Sequence, residues 1–215
     1  MVFALYPVGS SLNKIVTVAL ALTLIGQAMY VLGRAGRAIL AAGIFIPLAA
    51  VMFWPAGEGA PQGLRGRYLK ELSGFSGTLY VWGGENSIGI DCSGLIRKSM
   101  INALLAESFK EFRLDLARKA AEIWFYDASA QALGEEFRGF TGRKFEVESV
   151  NEADLSKLEP GDFMVTKSGV HTMAYLGGST WVQADPEKGR VIEVKTPSTI
   201  GWFRTPALIM KWSVY

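Results

Sequence analysis

The chain has 215 residues, half of them hydrophobic, with 22 basic and 20 acidic side chains and a formal net charge of +2. Its single cysteine, Cys92, excludes an intrachain disulfide and any multi-cysteine zinc site. Residues 1–57 carry Lys14, Arg34 and Arg37 and no acid, leaving 19 of the 22 basic residues to face all 20 acids beyond, so the pI of about 8.6 gives no sign of a nucleic-acid surface.

The mean hydropathy of +0.22 is high for a wholly soluble chain, and two runs near the start account for it. Ile15 to Leu32, IVTVALALTLIGQAMYVL, is 18 residues with one amide and no charge, and Ala38 to Trp54, AILAAGIFIPLAAVMFW, is 17 uncharged residues. Each approaches the ~20 residues that cross a hydrocarbon core. Neither run has the polar stripe of a soluble helical hairpin. A secretory signal peptide would start with charge and would not be followed by a second apolar run. Membrane helices tolerate an internal proline such as Pro47, and Tyr30 and Trp54 lie near span ends, where aromatic belts occur. Residues 1–57 are therefore expected to form a membrane hairpin, with spans at about 15–32 and 38–54 joined by the short basic linker GRAGR. A short arginine loop is retained in the cytoplasm. The expected place of the remainder is outside the inner membrane, with residues 15–54 in lipid.

A Pro/Gly linker follows, 58–64, and then a domain over 65–215. LRGRYLKELSGF predicts a short helix stopped near Gly74, and TLYVW a brief strand closed by a tight turn at Gly83 and Gly84. Trp82 reads as packing. Asp91 or Ser93 can cap a helix through SGLIRKSMINALLAESF, whose Leu95, Ile96, Met100, Ala103 and Leu104 have helical spacing. A second helix is expected from about Asp115 to Phe137. In LEPGDFMV a turn at Pro160-Gly161, steadied by Asp162, opens a strand, and HTMAYL, TWVQA, RVIEVK and ALIMKWSVY follow. Helices first and strands later predict an α+β domain with an antiparallel sheet.

Two residues of this domain carry chemistry. Cys92 falls at the first turn of its helix, and a helix N-terminus and a nearby imidazolium both lower a thiol's pKa, so a thiolate at neutral pH is expected. His171, the only histidine, begins a strand just after the turn residues Ser168 and Gly169. A third polar group normally orients such an imidazole, and Gln183 on the next strand is the candidate. A three-residue loop at Gly177-Gly178-Ser179 would set Leu176 opposite Thr180 and Met173 opposite Gln183, on one face with His171. A two-residue turn would put the pair on opposite faces. The plainer reading makes the lone cysteine a small buried hydrophobe.

The surrounding residues resemble a family. LYVWGGENSIGIDCSGLI is similar to the signature of NlpC/p60 cysteine peptidases, Tyr-x-Trp-Gly-Gly, a short spacer, then Asp-Cys-Ser-Gly-Leu. LEPGDFMV resembles the family's Leu-x-Pro-Gly-Asp-Leu segment, and GVHTMAYLGGSTWVQAD its His-Val-Gly-Ile-Tyr-Leu-Gly stretch with a following polar residue. The resemblance runs from about Arg65 to the end of the chain. It implies a papain-like fold, with the cysteine helix packed on an antiparallel sheet. It also implies hydrolysis of amide bonds in peptidoglycan stem peptides; no metal or other cofactor is expected. By position, Cys92 matches the nucleophile, His171 the base and Gln183 the third polar residue. Tyr80 matches a tyrosine near the thiol, and Asp91 and Ser93 match residues that in some members hold the substrate's free amine, although both also suit a helix cap. Beyond the family's pattern stand a long charged segment, about 106–155, expected as a helical insertion, and the membrane hairpin in place of wall-binding repeats. Two rival readings are acyl transfer to or from lipids within the same superfamily, and a non-catalytic membrane scaffold that binds wall peptides. Some lipid-directed relatives place the histidine first, which favours the peptidase, and the Cys-His-Gln set argues against the scaffold.

Overall fold

A computed structural model describes residues 11–215, so residues 1–10 of the expected hairpin segment lie outside the described residues. Helix α1 spans Ser11–Val31 and α2 spans Arg34–Phe53. Both are long and apolar enough to cross a membrane, and almost none of either apolar stretch is buried. The turn between them is shorter than the five-residue linker expected. Arg34 and Arg37 already belong to the first turn of α2, and the Arg37 Nε–H donates to the Leu32 carbonyl at 2.8 Å. Arginine and alanine favour helix, so α2 starts as soon as Gly33 has turned the chain. At its other end, Arg118 Nη1 donates to the carbonyls of Met52 at 2.8 Å and Trp54 at 3.1 Å, a cation placed where a helix C-terminus favours one.

Four further helices follow: α3 (Leu64–Gly74), α4 (Cys92–Lys110), α5 (Leu114–Phe125) and α6 (Ala130–Gly134). The strands are β1 (Thr141–Val147), β2 (Phe163–Thr166), β3 (Thr172–Gly177), β4 (Thr180–Asp185), β5 (Arg190–Lys195) and β6 (Ala207–Trp212). They form one six-stranded sheet in the order β1-β6-β2-β3-β4-β5 with every pair antiparallel. Helices packed on an antiparallel sheet are the architecture expected.

The sheet is covered on both faces. Leu95, Ile96, Met100, Ala103 and Leu104 of α4 are all buried and pack with Phe163, Val165, Ala174, Val182 and Met210 of the sheet. The alternate strand residues Met164, Met173, Tyr175, Trp181 and Ile209 point to the other face and meet Val150, Leu158 and Phe203 from the connections. Each such side chain contributes about 1.5–3 kcal/mol when fully buried.

Three expectations are corrected. TLYVW is not a strand: it makes only isolated bridges, Leu79 with Arg190 and Tyr80 with Ile90, because the chain turns away at Gly83 before a ladder can form. The helix expected over Asp115–Phe137 is broken after Phe125. Ser129 accepts from the Ala132 N–H at 3.2 Å and starts α6 afresh, while Asp127 in the gap is drawn to Arg97. The segment 106–155 is not helical throughout either. It contains β1, an edge strand paired with β6 and bulged near Lys144.

Candidate active site

The start of α4 is built by a carboxylate and a close approach. Asp91 has extended backbone and is the N-cap. Its Oδ1 accepts from the Gly94 N–H at 2.6 Å and the Ser93 hydroxyl at 3.0 Å, and its Oδ2 accepts from the Gly83 N–H at 2.8 Å. The carboxylate thereby joins the helix start to the preceding turn. A Cβ at Gly94 would lie 2.2 Å from the Gly84 carbonyl oxygen, so only glycine lets that turn sit on the helix. Cys92 is held in the first turn at 6% exposure.

On the sheet, β3 and β4 pair as Ala174–Val182 and Tyr175–Trp181, then slip by one residue to Gly177–Thr180. The turn is therefore two residues, Gly178 and Ser179, both with positive φ (55° and 69°), as this hairpin type requires. The expected three-residue loop is thus a two-residue turn plus a bulge at Leu176. The extra residue restores the parity that a two-residue turn alone would lose. Carried two residues further, the register sets Met173 opposite Gln183, and the imidazole and amide share a face. His171 Nε2 lies 2.6 Å from Gln183 Oε1, and both side chains are buried.

Two further residues hold this pair, and neither was assigned to the site from sequence. Gln183 Nε2 donates to Asp185 Oδ2 at 3.3 Å, and Asp185 Oδ1 accepts from the Glu187 and Lys188 N–H groups. With its NH2 committed to Asp185, Gln183 turns its carbonyl oxygen to the histidine. That arrangement makes His171 Nε2 the donor and leaves the Nδ1 lone pair free. Trp202 stacks on the imidazole with centroids 4.3 Å apart and planes 21° from parallel. Asp185 shares a strand face with Gln183 two residues away, a signal that period-two spacing carries, whereas Trp202 lies in an irregular connection with no periodic signal.

The resting electrostatics differ from the thiolate expected. Burial pushes the Cys92 thiol up to about 12, with the Asp91 charge adding to the effect, and the N–H groups of Thr172, Ser93 and Cys92 itself pull the other way. Burial likewise lowers His171 to about 4, against an upward pull from the Gln183 hydrogen bond and Asp185. Desolvation outweighs the helix N-terminus here, so burial favours the neutral form of both the thiol and the imidazole.

Cys92 opens onto a cavity of about 500 Å³ whose walls include Trp82, Asp91, Ser93, Arg97 and Val170. Trp82, read as packing from sequence, is 78% exposed and stands on its rim. Tyr80 is half-buried, and its hydroxyl is pushed up to about 12, chiefly by burial and further by Cys92, which ionises in the same high range, and by the Asp91 charge. Asp162 accepts from the Glu159 N–H at 2.8 Å and from Lys144 Nζ at 2.7 Å, as suits the steadying of the Pro160-Gly161 turn.

A model of the NlpC/P60 family matches residues 77–207. No curated protein matches the chain. Among solved structures, the chain is similar to an NlpC/P60 family protein of Bacillus cereus, with 13% identity over 73% of this chain and 41% of that one, TM-score 0.45. It is also similar to the peptidoglycan hydrolase RipB of Mycobacterium tuberculosis, with 14% identity over 83% of this chain and 89% of that one, TM-score 0.43. A P60 domain from M. avium subspecies paratuberculosis has 17% identity over 69% of this chain and 94% of that one, TM-score 0.41. The chain spans 41% of the length of the Bacillus cereus protein.

Proposed function

Because this chain belongs to the NlpC/P60 family over residues 77–207, we propose that it is a membrane-anchored cysteine hydrolase that cuts amide bonds in peptidoglycan stem peptides. The observation that best supports this reading is the His171–Gln183 hydrogen bond of 2.6 Å at the edge of the strand that packs against the Cys92 helix. A buried imidazole with one nitrogen tied to an amide and the other unprotonated is a general base awaiting a proton.

With both groups neutral at rest, the proton moves during attack. The Cys92 S–H proton passes to His171 Nδ1 as Sγ bonds to the substrate carbonyl carbon, and the carbonyl oxygen takes the negative charge. N–H groups at the start of α4 stabilise that oxyanion. Collapse breaks the C–N bond, and His171 returns its proton to the leaving amine. Water, deprotonated by the same imidazole, then cleaves the thioester and restores the thiol. Gln183 and Asp185 keep the ring in register, and Trp202 fixes its plane. Tyr80, Asp91 and Ser93 form the substrate side of the cleft. The Asp91 carboxylate already holds three donors, so it would meet a substrate amine only at the edge of that cap. Helices α1 and α2 anchor the enzyme in the inner membrane with the domain outside, and their exposed apolar surfaces support that reading.

The test is digestion of purified peptidoglycan by the full chain in detergent micelles, with products identified by mass spectrometry. Peptide fragments with new amine termini are expected, and none with Cys92→Ala. Equal product from both proteins refutes the assignment.

A further inference from the structure

Lys14 is the only charged residue of the first apolar run's leading edge, yet its side chain is 7% exposed and faces the domain. Its Nζ donates to the Trp124 carbonyl at 2.8 Å and lies 5.7 Å from the Trp124 ring centroid. It is also 3.7 Å from Glu85 Oε2 and 3.9 Å from Asp127 Oδ2. The other oxygen of each carboxylate is taken by one nitrogen of Arg97, which is 2% exposed and anchored by the Ile123 carbonyl at 3.1 Å. Two acids and two cations thus form one compact cluster.

Glu85, Arg97 and Asp127 line the cavity onto which Cys92 opens. Glu85 belongs to the turn that runs from Gly83 to Asp91. Asp127 lies in the break between α5 and α6, whose next residues Ser129, Ala130 and Gln131 line the same cavity. Arg97 alone would leave these two loops bound through a cluster with one negative charge too many. Partly buried charge needs a partner, and α1 supplies it.

We infer that Lys14 is a positioning residue of the cleft: the beginning of the first apolar helix neutralises and ties together the two loops that wall the cavity beside Cys92. The anchor is then part of the site as well as its tether. The inference rests on reading that cavity as the active cleft, but its test does not require the chain to cut any substrate.

The experiment alkylates Cys92 of the full chain in detergent micelles with anionic iodoacetate and with neutral iodoacetamide, and takes the ratio of the two rates. The ratio cancels differences in thiol ionisation and reports the charge of the cleft. In Lys14→Met it should fall about threefold, the size of a unit charge felt across a partly solvated cleft. Asp127→Asn should raise it by a similar factor. Lys14→Arg and the double variant Lys14→Met/Asp127→Asn should return it to the wild-type value. A wild-type ratio in Lys14→Met, or a fall that Lys14→Arg does not reverse, overturns the inference. Should Lys14→Met alone not fold, the double variant compared with Asp127→Asn decides, and equal ratios in those two overturn it. Absence of peptidoglycan cleavage by the wild type would instead strike only at the proposed activity.

Discussion

Gln183 is a fully buried neutral amide where a carboxylate would bind an imidazolium more strongly, so the contribution proposed for it is orientation. Its amide is oriented in turn by Asp185. Loss of a buried hydrogen bond that leaves its partner unsatisfied costs about 1–3 kcal/mol, so Gln183→Ala should lower kcat about 10- to 100-fold. Cys92→Ala and His171→Ala should cost more, and Gln183→Asn or Gln183→His should retain more activity than the alanine variant because both can still accept the bond. Unchanged turnover in Gln183→Ala would remove it from the site. His171 makes a second prediction through pH. Its folded pKa of about 4 lies below the ~6.5 of an unfolded histidine, so between those values the unfolded chain binds the extra proton. Stability from keeping the ring neutral is therefore complete above about pH 6.5 and drains away as pH falls towards 4. Between pH 7 and pH 5 the wild type should lose about 2 kcal/mol more than His171→Gln in denaturant melts. Parallel losses would mean that the buried ring is not held neutral.

Among the elements, those with a periodic or capped signal were legible. Helix α4 was readable because its apolar residues recur at helical spacing and Asp91 precedes them, and all five core positions named from that spacing are buried. The five strands from Phe163 onward were readable because glycine, proline and serine separate their apolar runs. Strand β1 was not, since an edge strand carries charge on its open side. TGRKFEV, with its arginine, lysine and glutamate, looks like part of a charged helix until β6 is there to pair with it. The shared face of His171 and Gln183 was foreseen, but through the wrong turn: parity depends on Leu176 being bulged out, which no local residue preference announces. Trp202 and Lys14 were out of reach for a related reason. A stacking partner in an irregular connection and a lysine at the head of an apolar helix acquire their roles only from residues distant in the chain.

At the scale of the whole molecule, α5 connects the domain to both free ends of the apolar hairpin. Arg118 holds the last carbonyls of α2, and the Trp124 carbonyl receives Lys14 at the beginning of α1. Those two α5 positions are about 9 Å apart along a helix rising ~1.5 Å per residue. That is close to the ~8–10 Å between the axes of packed helices, so α5 fits across the open end of a hairpin. A hairpin closed in this way leaves one exposed loop, the turn carrying Arg34 and Arg37, at the far end. Short basic loops stay in the cytoplasm, and Lys14, with Glu85 and Asp127 for partners, is accommodated on the opposite side without opposing that orientation. The domain is therefore predicted to face outward. Protease added to intact spheroplasts should digest it and leave a membrane-protected fragment ending shortly after Trp54, while a cytoplasmic control protein survives. If the domain survives along with that control, the arginine turn lies outside and the proposed hydrolase cannot reach the wall.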